Sequence, residues 1–143
     1  MKHKSDPILE VHVELDPAGI TELDSEIGHV TMIPFSGTVQ GPLFSGIVEP
    51  CGVDTQVTNC SDVRHMSARY MLTGKDADGR DCHIYVENNG WFTDGANPNP
   101  FRTVPTFITD SPRLAPYLHS GRFCGEGSME ETGLWIRFYE IGD

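Results

Sequence analysis

The chain has 143 residues, which at roughly 100–200 residues per domain means one domain, 1–143, large enough to bury a core without disulfides or metal. Hydrophobic residues make up 38% and charged residues 22%, an ordinary globular balance that excludes a disordered chain and a coiled coil. A net charge of −11 repels phosphate backbones and anionic lipid surfaces, so nucleic acid and membranes are excluded as partners. Residues 1–7 read as a flexible N-terminus. Two lysines there are not followed by an apolar stretch of leader length, and the expected location is cytoplasmic.

Period-two patterning then takes over. In Ile8–Leu15 the apolar positions are Leu9, Val11, Val13 and Leu15, separated by Glu10, His12 and Glu14. Asp16-Pro17-Ala18-Gly19 closes that run, and Gly41-Pro42 divides two further strands as a tight bend. Near position 70, Met66, Ala68, Tyr70 and Leu72 share one face; His65, Ser67, Arg69 and Met71 share the other. Lys75-Asp76-Ala77-Asp78-Gly79 is a turn between two good strands, because Asp and Gly supply local hydrogen bonds and positive φ. In the next strand Ile84 and Val86 oppose Tyr85 and Glu87, and Glu87-Asn88-Asn89-Gly90 ends it. Asp94 to Pro100 is the most loop-like segment. Only Ser111–Ser120 can hold helix: Ser111 suits the N-cap with Pro112 at the first position, and Pro116 limits it to a turn or two. The final run places Leu134, Ile136 and Phe138 on one side and Trp135, Arg137, Tyr139 and Ile141 on the other, apolar on both faces.

Eight to ten short strands at this spacing predict an all-β fold, a single antiparallel β-barrel with at most one short helix. A barrel of about eight strands either fills its interior or holds one small ligand.

Four blocks, in order, resemble a known family. They are Gly37–Asp54 (GTVQGPLFSGIVEPCGVD), Ala68–Gly90, Phe101–Thr109 and the closing WIRFYEI. Together they are similar to the bacterial and fungal family called domain of unknown function 3237. That resemblance implies a compact calycin-like or allene-oxide-cyclase-like barrel. It departs at Thr55, where an aromatic often follows the Gly-x-Asp, and at Tyr117-Leu118-His119, where a Trp-Leu-Asn segment is usual.

Candidate site residues are polar groups set among apolar strands. Arg102, between Phe101 and Val104, is either tied to a structural carboxylate or an anchor for a ligand carboxylate or enolate. Glu87 and Asp54 are solvent-facing or turn-forming carboxylates, or the base of a cavity that raises their pKa. Tyr70 is a core tyrosine or a donor to a carbonyl. Arg69, on the opposite face, reads as a surface ion-pair partner. Trp91 and Phe92 begin the long loop and either cap one barrel end or form a lid over a ligand. His119 falls in the divergent segment by an expected barrel mouth.

The six histidines lack metal-ligand spacing, and the four cysteines form no CxxC pair, so no metal and no cofactor are expected. Cys82 and the adjacent His83 would point to opposite faces of a strand. The reading is a small-molecule-binding barrel that acts as a cofactor-free isomerase, cyclase or hydratase/dehydratase. Glu87, Asp54 and Tyr70 are then catalytic, and Arg102, Trp91, Phe92 and His119 bind ligand. The alternatives are a lipocalin-type carrier or sensor, and a filled structural barrel. A homodimer or larger oligomer is expected, with Trp135, Tyr139 and Ile141 available as an interface.

Overall fold

A computed structural model describes residues 3–142. Among these residues nine strands form one sheet: β1 Leu9–Leu15, β2 Thr21–Ser25, β3 Gly28–Gln40, β4 Phe44–Asn59, β5 Val63–Asp76, β6 Asp81–Thr93, β7 Phe101–Thr109, β8 Phe123–Glu130 and β9 Gly133–Glu140. A single turn of helix, α1 Ala115–Leu118, separates β7 from β8. Every pairing is antiparallel, and β1 closes the sheet by pairing with both β9 and β3. The result is an eight-stranded barrel, with β2 as a ninth strand clipped to the first half of β3. Closure leaves no long edge. The short β2 is fully exposed and carries Glu22 and Asp24, which discourages pairing with another chain.

The period-two pattern is realised as expected. On β5, Tyr70 and Leu72 are buried inward while Arg69 is exposed; on β7, Thr103, Pro105, Phe107 and Thr109 are buried and the residues between them are exposed. Cys82 is buried and the neighbouring His83 faces out.

One boundary differs. β6 does not end at Glu87–Gly90 but runs to Thr93, paired with β5 as far as Thr93↔Val63. Gly90 is a strand residue, and the Phe92 ring packs where its side chain would be. Trp91 and Phe92 therefore belong to the strand rather than to the loop, which occupies 94–100. The helix is as short as Pro112 and Pro116 demand, with Ser111 Oγ accepting from the Leu114 N–H at 3.2 Å.

Two glycines shape the barrel. Gly37, at φ 152°, sits in the β3 bulge, and a Cβ there would lie 2.1 Å from the His12 carbonyl oxygen. At Gly127 a Cβ would meet the Phe101 ring at 2.0 Å, so this glycine lets Phe101 lie against β8. From His3 onward the N-terminal arm expected to be flexible lies along β9: His3 bridges to Ile141, and the Lys4 N–H donates to Glu140 O at 2.9 Å. His3 also stacks on Tyr139, and His12 on Trp135, so two of the aromatics offered as an interface are met by their own chain.

The interior is not one central void. Phe44, Phe138, Leu9, Leu72, Ile84 and Leu118 are fully buried and fill one end, which α1 caps. The other end opens. No helix among the described residues is long and apolar enough to cross a membrane.

Candidate functional site

The open end holds a cleft of about 340 Å³, walled by Leu15, Ile33, Met66, Phe92, Phe101 and Leu134, with Asp54, Gln56, Arg64 and the loop residues Asn97 and Asn99 as its polar members. It continues inward as a slot of about 50 Å³ between Phe35, Ala68, Tyr70, Asn88, Phe101 and Ile136; Asp54, Met66, Leu15, Phe101 and Leu134 line both. Strand register explains the shape. Asp54 pairs with Ala68, and Ala68 with Asn88, so a methyl group sits between two polar side chains in one inward row. The small residue leaves the space.

Hydrogen bonding in this row is unfinished. Five buried side-chain oxygens among the described residues have no protein partner, and three of them line the slot: Asp54 Oδ1, the Tyr70 hydroxyl and Asn88 Oδ1. Tyr70 and Asn88 are 4% and 5% exposed, so bulk water does not serve them. A buried group left in that state costs about 1–3 kcal/mol, and each such group calls for a partner.

The other Asp54 oxygen is fixed. Gln56 Nε2 donates to Asp54 Oδ2 at 2.8 Å, Arg64 Nη1 donates to Gln56 Oε1 at 3.1 Å, and Arg64 Nη2 donates to the Ala96 carbonyl at 3.2 Å. The Arg64 guanidinium lies 4.8 Å from the centre of the Phe92 ring. This relay runs from the loop at the mouth to the carboxylate inside. Burial raises the Asp54 pKa above the ordinary carboxylate range, opposed by the Gln56 hydrogen bond and the Arg64 charge. Burial also raises the Tyr70 phenol, which stays protonated and can donate.

The candidate residues separate into three places. Asp54, Tyr70 and Phe92 meet at the open end. Glu87 does not join them: its position in β6 points outward, where Oε1 forms an ion pair with Arg69 Nε at 3.1 Å, the surface pair expected of Arg69. Arg102 also faces out, because inward positions on β7 are the odd-numbered ones. It lines a separate outer groove of about 310 Å³ with Trp91, His3, Cys124 and Glu126. Trp91 is 58% exposed and stacks flat on His65 at 4.8 Å. His119 is at the closed end, not at a mouth; its Nε2 accepts from the Thr109 N–H at 3.0 Å. Among the described residues no group of three His, Cys, Asp or Glu side chains is placed to hold a metal.

Gln56, Arg64 and Asn88 were not singled out from sequence. Counting by twos from Tyr70 reaches Arg64, from Asp54 reaches Gln56, and from Val86 reaches Asn88. The last step is hidden because Glu87–Gly90 reads as the turn that ends the strand, whereas β6 runs through it to Thr93.

Comparison with known proteins agrees with this architecture. A UPF0311 protein of Clostridium acetobutylicum is 30% identical over 149 residues, covering 94% of this chain and 91% of that protein. The crystal structure of a protein of unknown function from the same organism superposes with a TM-score of 0.75 at 30% identity, over 99% of this chain and 100% of that one. A conserved protein of unknown function from Rhodopseudomonas palustris reaches 0.71 at 24% identity and 98% coverage of both chains. A β-barrel-like protein from Acinetobacter baumannii reaches 0.73 at 22% identity, covering 96% and 94%, a likeness of fold. The family model described as protein of unknown function (DUF3237) matches residues 3–141, nearly the whole barrel with its open-ended cleft, and the chain belongs to that family.

Proposed function

We propose that this barrel binds a small, partly apolar, oxygenated molecule at its open end and moves a proton on it without a cofactor. The observation that carries the reading is the trio of unpartnered oxygens on Asp54, Tyr70 and Asn88 in an otherwise apolar slot. A folded chain that buries three unmet polar groups side by side gives up stability there, and a ligand with complementary polar atoms returns it. Apolar walls with a few convergent polar groups are the usual composition of a ligand pocket.

The chemistry follows from the groups. Asp54 is a carboxylate with a raised pKa, which brings it nearer to a base's working range. Tyr70 keeps its proton and suits hydrogen bonding to a carbonyl or enolate oxygen, with the Asn88 amide beside it. For an enolisable carbonyl compound, Asp54 takes the proton from the carbon next to the carbonyl, the electron pair moves onto the oxygen, and Tyr70 stabilises the enolate. Return of the proton to another atom completes an isomerisation. Of the two carboxylates expected as base, Asp54 takes the role and Glu87 does not, and Arg64 replaces Arg102 as the cation of the site.

Two measurements test this. Anilinonaphthalene sulfonate should brighten on titration into the native protein. Ala68→Leu, which fills the space between Asp54 and Asn88, should abolish that response, and Trp91→Ala in the outer groove should leave it. Dye binding that survives Ala68→Leu and disappears with Trp91→Ala overturns the assignment of the cleft. For proton transfer, deuterium wash-in at the activated carbon of beta-tetralone should be faster with native protein than with Asp54→Asn by about 10². Equal rates, with binding intact, make the barrel a carrier.

A further inference from the structure

We infer that the natural ligand is a monocarboxylate about one ring long, which enters with a hydroxyl or keto end first and leaves its carboxylate on Arg64 at the mouth. This rests on the ligand-binding reading of the cleft and adds the identity of the second end.

In a chain carrying −11, Arg64 is the only cationic side chain among the described residues that line the cleft or its slot, and Asp54 is the only anionic one. The guanidinium is held rather than loose. Its two terminal nitrogens each donate one hydrogen bond, to Gln56 and to the Ala96 carbonyl, and its face rests over Phe92. A guanidinium has five N–H groups, so donors remain for an incoming anion, in the fork geometry that suits a carboxylate. The other polar groups at the mouth of the cleft, Asn97 and Asn99, are neutral amides, and the Asp62 carboxylate lies in the adjoining groove on the other side of Arg64. One cation with a carboxylate in the same cleft matches a single negative charge better than a phosphate dianion.

The two ends are a set distance apart. Gln56 bridges them, with bonds of 2.8 Å to Asp54 and 3.1 Å to Arg64, so carboxylate and guanidinium lie about 8 Å apart at most. The deep end offers the unpartnered Asp54 Oδ1 as acceptor and the Tyr70 hydroxyl as donor. A hydroxyl satisfies both, and a keto group with an acidic C–H does so through its enol. The wall between the ends is apolar: Met66, Phe101, Leu134 and Ile33. A ring between two oxygen functions fits that sequence of polar, apolar and cationic surfaces.

The competing account is that Arg64 only ties the 94–100 loop to β4. Calorimetric titration with para-hydroxyphenylacetate and its neutral, nearly isosteric amide separates the two. Native protein should prefer the acid by at least about ten-fold, the worth of one charge-assisted hydrogen-bonded pair, with the preference shrinking in about 0.5 M salt. Arg64→Gln should bind acid and amide alike, and Arg64→Lys should keep a preference for the acid. Equal binding of the two probes to native protein, or a preference that survives Arg64→Gln or high salt, overturns the proposal. Inorganic phosphate displacing the acid from native protein more strongly than acetate does overturns the carboxylate assignment. If Arg64→Gln fails to fold, the salt response and Arg64→Lys decide alone. Should the dye bind through Ala68 while neither phenolic probe binds, the ligand class falls and the cleft assignment stands; if dye and probes all ignore Ala68→Leu, both fall.

Discussion

The two ends of the barrel are built from the same alternating strands, yet they treat polar groups in opposite ways. At the closed end the buried polar side chains Asp76, Thr109 and Ser111, and the half-buried Tyr117, all have partners. Asp76 Oδ1 accepts the N–H groups of Asp78 and Arg80 at 2.8 and 3.0 Å, Thr109 Oγ1 donates to His83 O at 2.6 Å, and the Ser111 N–H donates back to Thr109 Oγ1 at 3.1 Å. The Tyr117 hydroxyl donates to Glu140 Oε2 at 2.7 Å; burial and then that carboxylate push the phenol up to about 12. At the open end Asp54, Tyr70 and Asn88 are left incomplete. Polar groups that serve the fold are satisfied within it, and those left over at a cavity point to something the cavity receives. Two carboxylates show the contrast: Glu140 is held below the usual range by Tyr117 and Lys4, while burial holds Asp54 above it.

The largest expected effect tests the closed end as the load-carrying half. Phe138 is fully buried and meets Phe107 edge-on at 5.1 Å. Phe138→Ala should cost about 3–5 kcal/mol in a denaturant titration. A loss below about 1 kcal/mol would mean that this end is loosely packed.

Thr109→Val should cost about 2 kcal/mol, because it strands the Ser111 N–H and the His83 carbonyl together. Tyr70→Phe, by contrast, removes a buried hydroxyl that has no partner, and it should stabilise the protein by about 1 kcal/mol. Equal costs at the two sites would erase the distinction between the ends.

Asp54→Asn should stabilise the protein by about 1 kcal/mol at neutral pH, seen as a rise in Tm. The sign follows from linkage. A carboxyl whose folded pKa is raised favours the fold when protonated, and that contribution is lost as pH climbs from the ordinary aspartate range through the raised folded value. The native protein should therefore lose stability over that interval relative to Asp54→Asn, and the two should converge in acid. A variant less stable than native at neutral pH would show that Asp54 is structural.

The smallest effect belongs to the outer surface. Arg69 is 65% exposed at its side chain, and Arg69→Ala should change stability by less than about 0.5 kcal/mol without altering dye binding. A loss of binding would return Glu87 to the site.

What the amino-acid order determined by itself is most of what has a local cause, the turn signal at Glu87–Gly90 being the exception, since β6 runs through it. The alternation at Leu9, Val11 and Val13, the Gly41-Pro42 bend, the Asp-Gly turn before β6 and the proline-limited helix follow from neighbours a few residues apart, and the structure has them all. The inward placement of Tyr70 was legible for the same reason: side chains on a strand alternate with period two. Parity failed at Glu87 and Arg102 because it says which residues share a face and not which face looks inward; on β6 and β7 the even and odd sets trade that role. Only the tertiary structure decided which end stays open, that α1 caps the other, and that Asp54, Ala68 and Asn88 share a row. Those outcomes depend on register between distant strands and on a β1–β3 closure that runs from Glu10↔Gln40 to Leu15↔Phe35, and no local pattern encodes a register.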